Sequence, residues 1–166
     1  LQDLVDTGTT VAHCPTVFQR RGITLQTFGE YVRRGVNMAI GTDTYPHNMI
    51  EEMRHVAIMS RVVGEDVYDV RSTDVFNAAT LGGAKALGRK DIGRISVGVT
   101  HASMRPLRDP VRSMIYSAAE RAIRTVFVDG KKVVDGGKVL TMDLDAASEK
   151  LEAAQRRAEA GVKGLD

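Results

Sequence analysis

Val36-Asn37-Met38-Ala39-Ile40-Gly41-Thr42-Asp43 decides the fold. Val36 to Ile40 is apolar enough for a strand buried on both faces, as parallel strands are. Asp43 follows directly, at the strand's C-terminal end. Upstream, Thr24 can cap a helix through Arg34, with Leu25, Phe28 and Val32 at helical spacing and Gly35 as its C-terminal cap. Downstream, Gly41 to His47 reads as a loop and Asn48 as the cap of a helix to Val63, which Gly64 ends. Met49, Ile50, Met53, Val56, Ala57 and Val63 form its apolar stripe. Further out, the β-branched run Thr9 to Cys14 is stopped by Pro15, a strand followed by a loop. Leu1 to Asp6 reads as the last turns of a helix ended by Gly8, so the opening looks cut. Strand, helix, strand, helix predicts an α/β unit with a parallel sheet.

Beyond it, Ser72 or Thr73 can cap a helix through Val75, Phe76, Ala79 and Leu81. Gly82-Gly83 is expected to interrupt it, with a short second helix reaching Leu87 before Gly88. Then the character changes. Arg94 to Gly98 is a brief strand signal, and Thr125 to Val128, Asp129-Gly130 and Lys132 to Val134 read as a hairpin with a type I′ turn. Lys138 to Thr141 adds a strand. Asp143 to Ala160 is an Ala-rich, charged helix with Leu144, Ala147, Leu151, Ala154 and Ala158 on one side. The expected organisation is an α/β part over 1–90, a small β part over 91–142 and a helical tail over 143–166.

Composition excludes several classes. With 23 Lys+Arg against 21 Asp+Glu, no clustered basic stripe, no Trp and 5% aromatic residues, there is no case for nucleic acid. The apolar runs are far below the ~20 residues of a membrane span. One cysteine, Cys14, cannot form an internal disulfide, which predicts a reducing, cytoplasmic setting. At 166 residues the chain is too short for a complete (β/α)8 barrel of ~250.

Asp43 is the sharpest chemical candidate. Strand C-terminal ends are where α/β active sites form, and a carboxylate there can bind a divalent metal or take a proton from water. The competing reading is a loop cap. His13 also ends a strand and is a candidate mouth contact or metal ligand, against a buried, hydrogen-bonded core histidine. Adjacent His13 and Cys14 point to opposite faces and cannot share a metal. His47, four residues after Asp43, is a candidate substrate contact. His55 reads as a surface or packing residue, His101 carries no spacing signal, and Arg105, Arg108 and Asp109 read as ion pairing or a domain contact in a polar loop. The glycines at 82–83, 88, 93 and 98 make no phosphate loop.

Val11-Ala12-His13-Cys14-Pro15-Thr16, followed by Gly35-Val36-Asn37 and Gly41-Thr42-Asp43, resembles the last third of the amidohydrolase superfamily. The subgroup is the cytosolic deaminases and dechlorinating hydrolases of triazines, guanine and adenosine-type rings. Ala78 to Gly88 with Asp91 to Ile95 is similar to the stretch after that family's barrel, and Val126 to Gly130 with Val139-Leu140 to its closing β-sandwich. The resemblance implies strands seven and eight of a (β/α)8 metal-dependent hydrolase barrel, then sandwich strands and a C-terminal helix. It implies one zinc or iron and hydrolysis of C–N or C–Cl bonds on a heterocycle or amidine. Asp43 matches the aspartate that ligates the metal and shuttles the proton. His13 matches a mouth residue, and His47 falls where members vary their substrate contacts.

The chain departs from the pattern. Its four histidines include no His-x-His pair, so the histidine ligands and the first six barrel strands are expected upstream of Leu1. An Ala-Asp-Leu-Val-type strand is absent after Gly98-Val99-Thr100. Val17-Phe18-Gln19-Arg20-Arg21 stands where the family often has Ser-Asn, which implies a different substrate. Two readings follow. One is a deaminase-type hydrolase of a small molecule seen as its C-terminal portion, inactive as these 166 residues alone. The other is a non-catalytic truncated or assembly module, forming a homo-oligomer or pairing with an upstream barrel segment through its unpaired strand edges.

Overall fold

The computed structural model describes residues 1–26, 28–94, 101–118 and 122–161. Contacts divide the chain into two units, Leu1–Ala122 and Ile123–Asp166.

The first unit is built around two parallel strands, β1 (Thr10–His13) and β2 (Asn37–Ile40). The register pairs Thr10 with Asn37, Val11 with Met38, Ala12 with Ala39 and His13 with Ile40. Side chains alternate along a strand, so Val11 and His13 share one face of β1, and Met38 and Ile40 one face of β2. Helix α1 (Gln2–Asp6) leads into β1, and Gly8 turns the chain at a φ of +66°. After β1 the expected loop is a helix, α2 (Pro15–Arg20). Pro15 stops the strand and starts the helix, because its fixed φ suits the first helical position and its missing N–H is not needed there. Helix α3 (Phe28–Arg33) is shorter than the expected span from Thr24.

Helix α4 (Met49–Val63) runs as expected, with Asn48 Oδ1 accepting from the Glu51 N–H at 3.2 Å. Ile50, Met53, Val56 and Ala57 are buried in one core with Phe28, Val36, Met38 and Ile40. The left-handed residue after α4 is Glu65 (φ +51°), with Gly64 at an ordinary helical φ.

Gly82-Gly83 does not interrupt the next helix. Residues 72–86 run as α5 (Ser72–Asn77), a π turn (Ala78–Gly82) and α6 (Gly83–Ala86). Arg71 takes the cap position, its backbone N–H donating to Asp74 Oδ2 at 3.2 Å. Gly82 is required for a close approach: a Cβ there would run into the Met38 carbonyl of β2. Asn37 secures that contact, its Nδ2 donating to Gly82 O at 3.1 Å and to Thr10 Oγ1 at 2.7 Å.

The strand expected over Arg94–Gly98 lies, from Ile95 on, outside the described residues. Helical turns at 102–104 and 110–118, with a loop between them, belong to the first unit, so the contact boundary falls after Ala122 and not at 90. Asp109 Oδ1 accepts from the Arg112 N–H at 2.9 Å and starts α7 (Pro110–Ser113), which continues as a π turn to Ala118. Val111, Met114, Ile115 and Ala118 carry the i, i+3, i+4, i+7 spacing of a core-facing helix. Met104, Met114, Ile115 and Ala118 are all buried in the core, and Arg54 Nε donates to Ile115 O at 2.9 Å.

The second unit is an antiparallel sheet, β3 (Thr125–Val128), β4 (Lys131–Asp135) and β5 (Lys138–Val139), and helix α8 (Leu144–Gly161). Asp129 (φ +51°) and Gly130 (φ +71°) both adopt the left-handed conformation that a type I′ hairpin demands. The register slips by one residue between Val126 and Phe127, leaving Val133 as the extra residue of β4. Asp143 Oδ1 caps α8 through the Ala146 N–H at 3.0 Å. No helix among the described residues is long and apolar enough to cross a membrane.

Candidate active site

The C-terminal ends of β1 and β2 bring together the groups with chemical potential. The Gly41 N–H donates to His13 O at 3.0 Å, prolonging the parallel pairing by one residue. Past it the chain turns sharply: the Thr44 N–H donates to Thr42 O at 2.6 Å, closing a γ-turn centred on Asp43 at φ +56°. Aspartate tolerates that left-handed conformation better than most residues, but such a turn costs about 1–3 kcal/mol. The turn leaves the Asp43 carboxylate exposed at the strand end. His47 is also exposed, and its Nδ1 lies 3.0 Å from Thr42 Oγ1, which ties the two ends of the loop together.

Helix α2 supports the loop from the side. Arg20 Nη1 donates to Tyr45 O at 3.1 Å and Nη2 to Tyr45 Oη at 3.0 Å, while the guanidinium lies 4.6 Å from the ring centroid. A cavity of about 360 Å³ opens here, lined by Val17, Arg20, Arg21, Thr44 and Tyr45.

Of the two places open to His13, a mouth contact or a buried core position, it takes the buried one. It is 3% exposed, with its ring edge-on to Phe18 at 5.2 Å and tilted against Phe28 at 6.1 Å. Among the described residues the ring makes aromatic contacts and no hydrogen bond. Burial holds its pKa down to about 4, so the imidazole is neutral at pH 7. The cause is period two: His13 shares the Val11 face, and Val11 packs on the core.

Cys14 follows on the opposite face, half-buried beside Gly41. Burial first, then the negative charges of Asp43 and Glu52, push its thiol up, against the Gly41 N–H that favours the thiolate. A thiol held protonated in this way is a poor nucleophile.

Glu52 was not legible as a functional residue. It sits in the apolar half of α4, is 1% exposed, and its Oε2 accepts from the Thr16 N–H at 3.1 Å. A carboxylate is buried only when hydrogen-bonded, and this bond anchors the turn after His13-Cys14-Pro15 to α4 across 36 residues. The available signal was Glu51-Glu52 inside an apolar stripe, one acid of which had to face inward. His55 lies on the same helix, and His101 caps a single 3₁₀ turn through its own Nδ1.

No group of three or more His, Cys, Asp or Glu among the described residues is placed to hold a metal. A catalytic zinc takes about three protein ligands, so the described residues alone do not fit one.

Residues 2–133 match the amidohydrolase family, and the chain belongs to that family. It is 31% identical over 164 residues to the 5-methylthioadenosine/S-adenosylhomocysteine deaminase of Pyrococcus abyssi, covering 90% of this chain and 38% of the relative. The corresponding deaminase of Acetivibrio thermocellus is 32% identical over 154 residues, covering 83% of this chain and 35% of the relative. Among solved structures, a zinc-bound adenosine deaminase from Xanthomonas campestris superposes with a TM-score of 0.81 at 29% identity, over 91% of this chain and 38% of that one. The zinc-bound atrazine chlorohydrolase of Arthrobacter aurescens TC1 shares the fold, with a TM-score of 0.77 at 21% identity over 90% of this chain and 36% of that one. The chain thus spans a little over a third of the length of the relatives it matches.

Proposed function

We propose that this chain is part of a metal-dependent hydrolase of the deaminase type, acting on a non-peptide C–N or C–Cl bond of a small heterocycle or amidine. The observation that carries the reading is Asp43: an exposed carboxylate fixed in a γ-turn at the C-terminal end of a parallel strand. In this reading β1 and β2 are strands seven and eight of a (β/α)8 barrel, and the second unit contributes strands of a small β-sandwich. The relatives' deaminase names support the chemistry, and the zinc-bound neighbours support a metal cofactor, here zinc, with iron as the alternative that the family resemblance leaves.

Water adds to the ring carbon that bears the amino group. Asp43 takes the water's proton and passes it to the leaving nitrogen, so a C–O bond forms, the C–N bond breaks and ammonia departs. Asp43 is also the one metal ligand among the described residues, and the remaining ligands are histidines from outside them. His47, held by Thr42, faces the substrate. His13 serves behind the strand, with Phe18 and Phe28, as packing that fixes the start of α2. The competing reading, a non-catalytic assembly module, draws on the missing ligand group.

The reaction is tested in ¹⁸O-labelled water, with the zinc-loaded enzyme that carries this segment and amino-substituted purines and triazines. The expected result is ammonia together with one labelled oxygen on the product ring. Ammonia without label, or no turnover of any such ring, contradicts the reading. The 166 residues alone are expected to release none.

A further inference from the structure

The cavity beside the Asp43 loop is basic on one wall and aromatic on the other. Val17, Arg20 and Arg21 come from α2 and its C-terminal cap, and Thr44 and Tyr45 from the loop. The two arginines do different work. Arg20 is spent on the loop, with both its terminal nitrogens donating to Tyr45 and its guanidinium carbon 4.6 Å from the ring centroid. Arg21 lines the same cavity, and its guanidinium has no hydrogen bond or ion pair among the described residues. No ion pair there joins either arginine to a carboxylate. An unpaired guanidinium presents a planar fork of donors that matches a carboxylate in a bidentate fashion. About 360 Å³ is at the small end of ligand pockets, room for one small ring and its substituent.

We infer that this cavity is the specificity pocket of the hydrolase, and that it selects ring substrates bearing a carboxylate, gripped by Arg21 and stacked on the Tyr45 ring that Arg20 holds in place. The inference rests on the hydrolase reading of the Asp43 loop. The C-terminal dipole of α2 opposes an anion there, but a six-residue helix carries a weak one and the guanidinium charge outweighs it. The same wall accounts for Val17-Phe18-Gln19-Arg20-Arg21 as a recognition segment rather than a lapse from the family pattern.

The probes are 2-aminopyrimidine-5-carboxylate and its 5-carboxamide, titrated into the isotope-labelled enzyme that carries this segment and followed by amide chemical shifts. The carboxylate is expected to move the Arg21, Thr44 and Tyr45 signals and to bind about tenfold more tightly than the amide, as one charge-assisted pair warrants. Arg21→Gln is expected to erase that preference, and Arg21→Lys to retain part of it, with the signals of buried Val56 and Ile115 unmoved in both. Equal affinity for the two probes, a preference that survives Arg21→Gln, or shifts confined elsewhere overturns the inference. Binding is read without turnover, so the two claims fail separately. Carboxylate preference without hydrolysis by the complete enzyme sinks the hydrolase reading, and hydrolysis without the preference sinks the pocket.

Discussion

The two units make opposite use of their apolar residues. Leu1–Ala122 holds every buried side chain described, from His13 at the end of β1 to Ala118 at the end of α7's continuation. In Ile123–Asp166 no described residue is buried: Phe127 is 60% exposed and Leu151 71%. The first unit is held by a core that gathers helices from both ends of its sequence around β2. The second is held by local devices, a type I′ turn, a capped helix, and short-range pairs such as Glu152 with Arg156 at 3.5 Å. Such a hairpin is marginal alone in water, and exposed ion pairs add little. The Asp43 loop proposed as the site is mounted on the unit with the core, as a site that must hold its geometry requires.

The comparison breaks first at Phe28. Phe28→Ala empties a core position against Met53, Val56 and the His13 ring and is expected to cost about 3–5 kcal/mol in urea unfolding. A loss below about 1 kcal/mol would mean that the first unit is not organised around this core.

The next effect is pH-dependent. His13 is held neutral, with its folded pKa at about 4 against 6.5 for the free side chain. The unfolded chain therefore binds the extra proton first as the pH falls. The stability of the first unit is expected to be complete above about pH 6.5 and to decline as the pH drops towards 4, by at most about 3 kcal/mol. His13→Phe should flatten that part of the unfolding curve; an unchanged slope would place His13 in water.

Gly82→Ala is expected to cost about 1–3 kcal/mol, since its Cβ meets the Met38 carbonyl and the strand or the π turn has to yield. Thermal unfolding checks it, and no shift in Tm would deny the close approach. The smallest effect belongs to the second unit: Leu151→Ala is expected to change stability by less than about 0.5 kcal/mol. A loss of 2 kcal/mol there would show that α8 has a buried partner in solution.

Much of the first unit was legible because its signals are local and periodic. Asn48 and the stripe from Met49 to Val63 mark α4, and the short apolar runs mark both parallel strands. The hairpin was legible from Asp129-Gly130, which forces the turn type. Gly82-Gly83 misled because glycine's two roles look alike in sequence; only the approach of Met38 distinguishes a tight contact from a helix break. Pro15 misled similarly, as a strand stop that is also a helix start. The period in Val111 to Ala118 was overlooked behind the polar, proline-rich stretch before it, which moved the unit boundary from 90 to 122. At the site, Asp43 and His47 were candidates from their position after a strand, and both lie exposed in the loop after β2. For His13 the sequence left a mouth contact and a buried core position open, and the alternation along β1 puts its ring against Phe18 and Phe28. Glu52 was missed because a charged residue in an apolar stripe looks like the solvent edge until Thr16 supplies its partner.

The most direct measurement is the rate of ammonia release by the zinc-loaded enzyme carrying this segment, wild type against Asp43→Asn. Asparagine also tolerates the left-handed φ at this position, so the turn survives while the proton acceptor is lost. The account predicts a fall in kcat of roughly 10²–10⁴-fold with the unfolding midpoint unchanged. A kcat within a few-fold of wild type would contradict it, because the carboxylate at the end of β2 would then take no part in the chemistry.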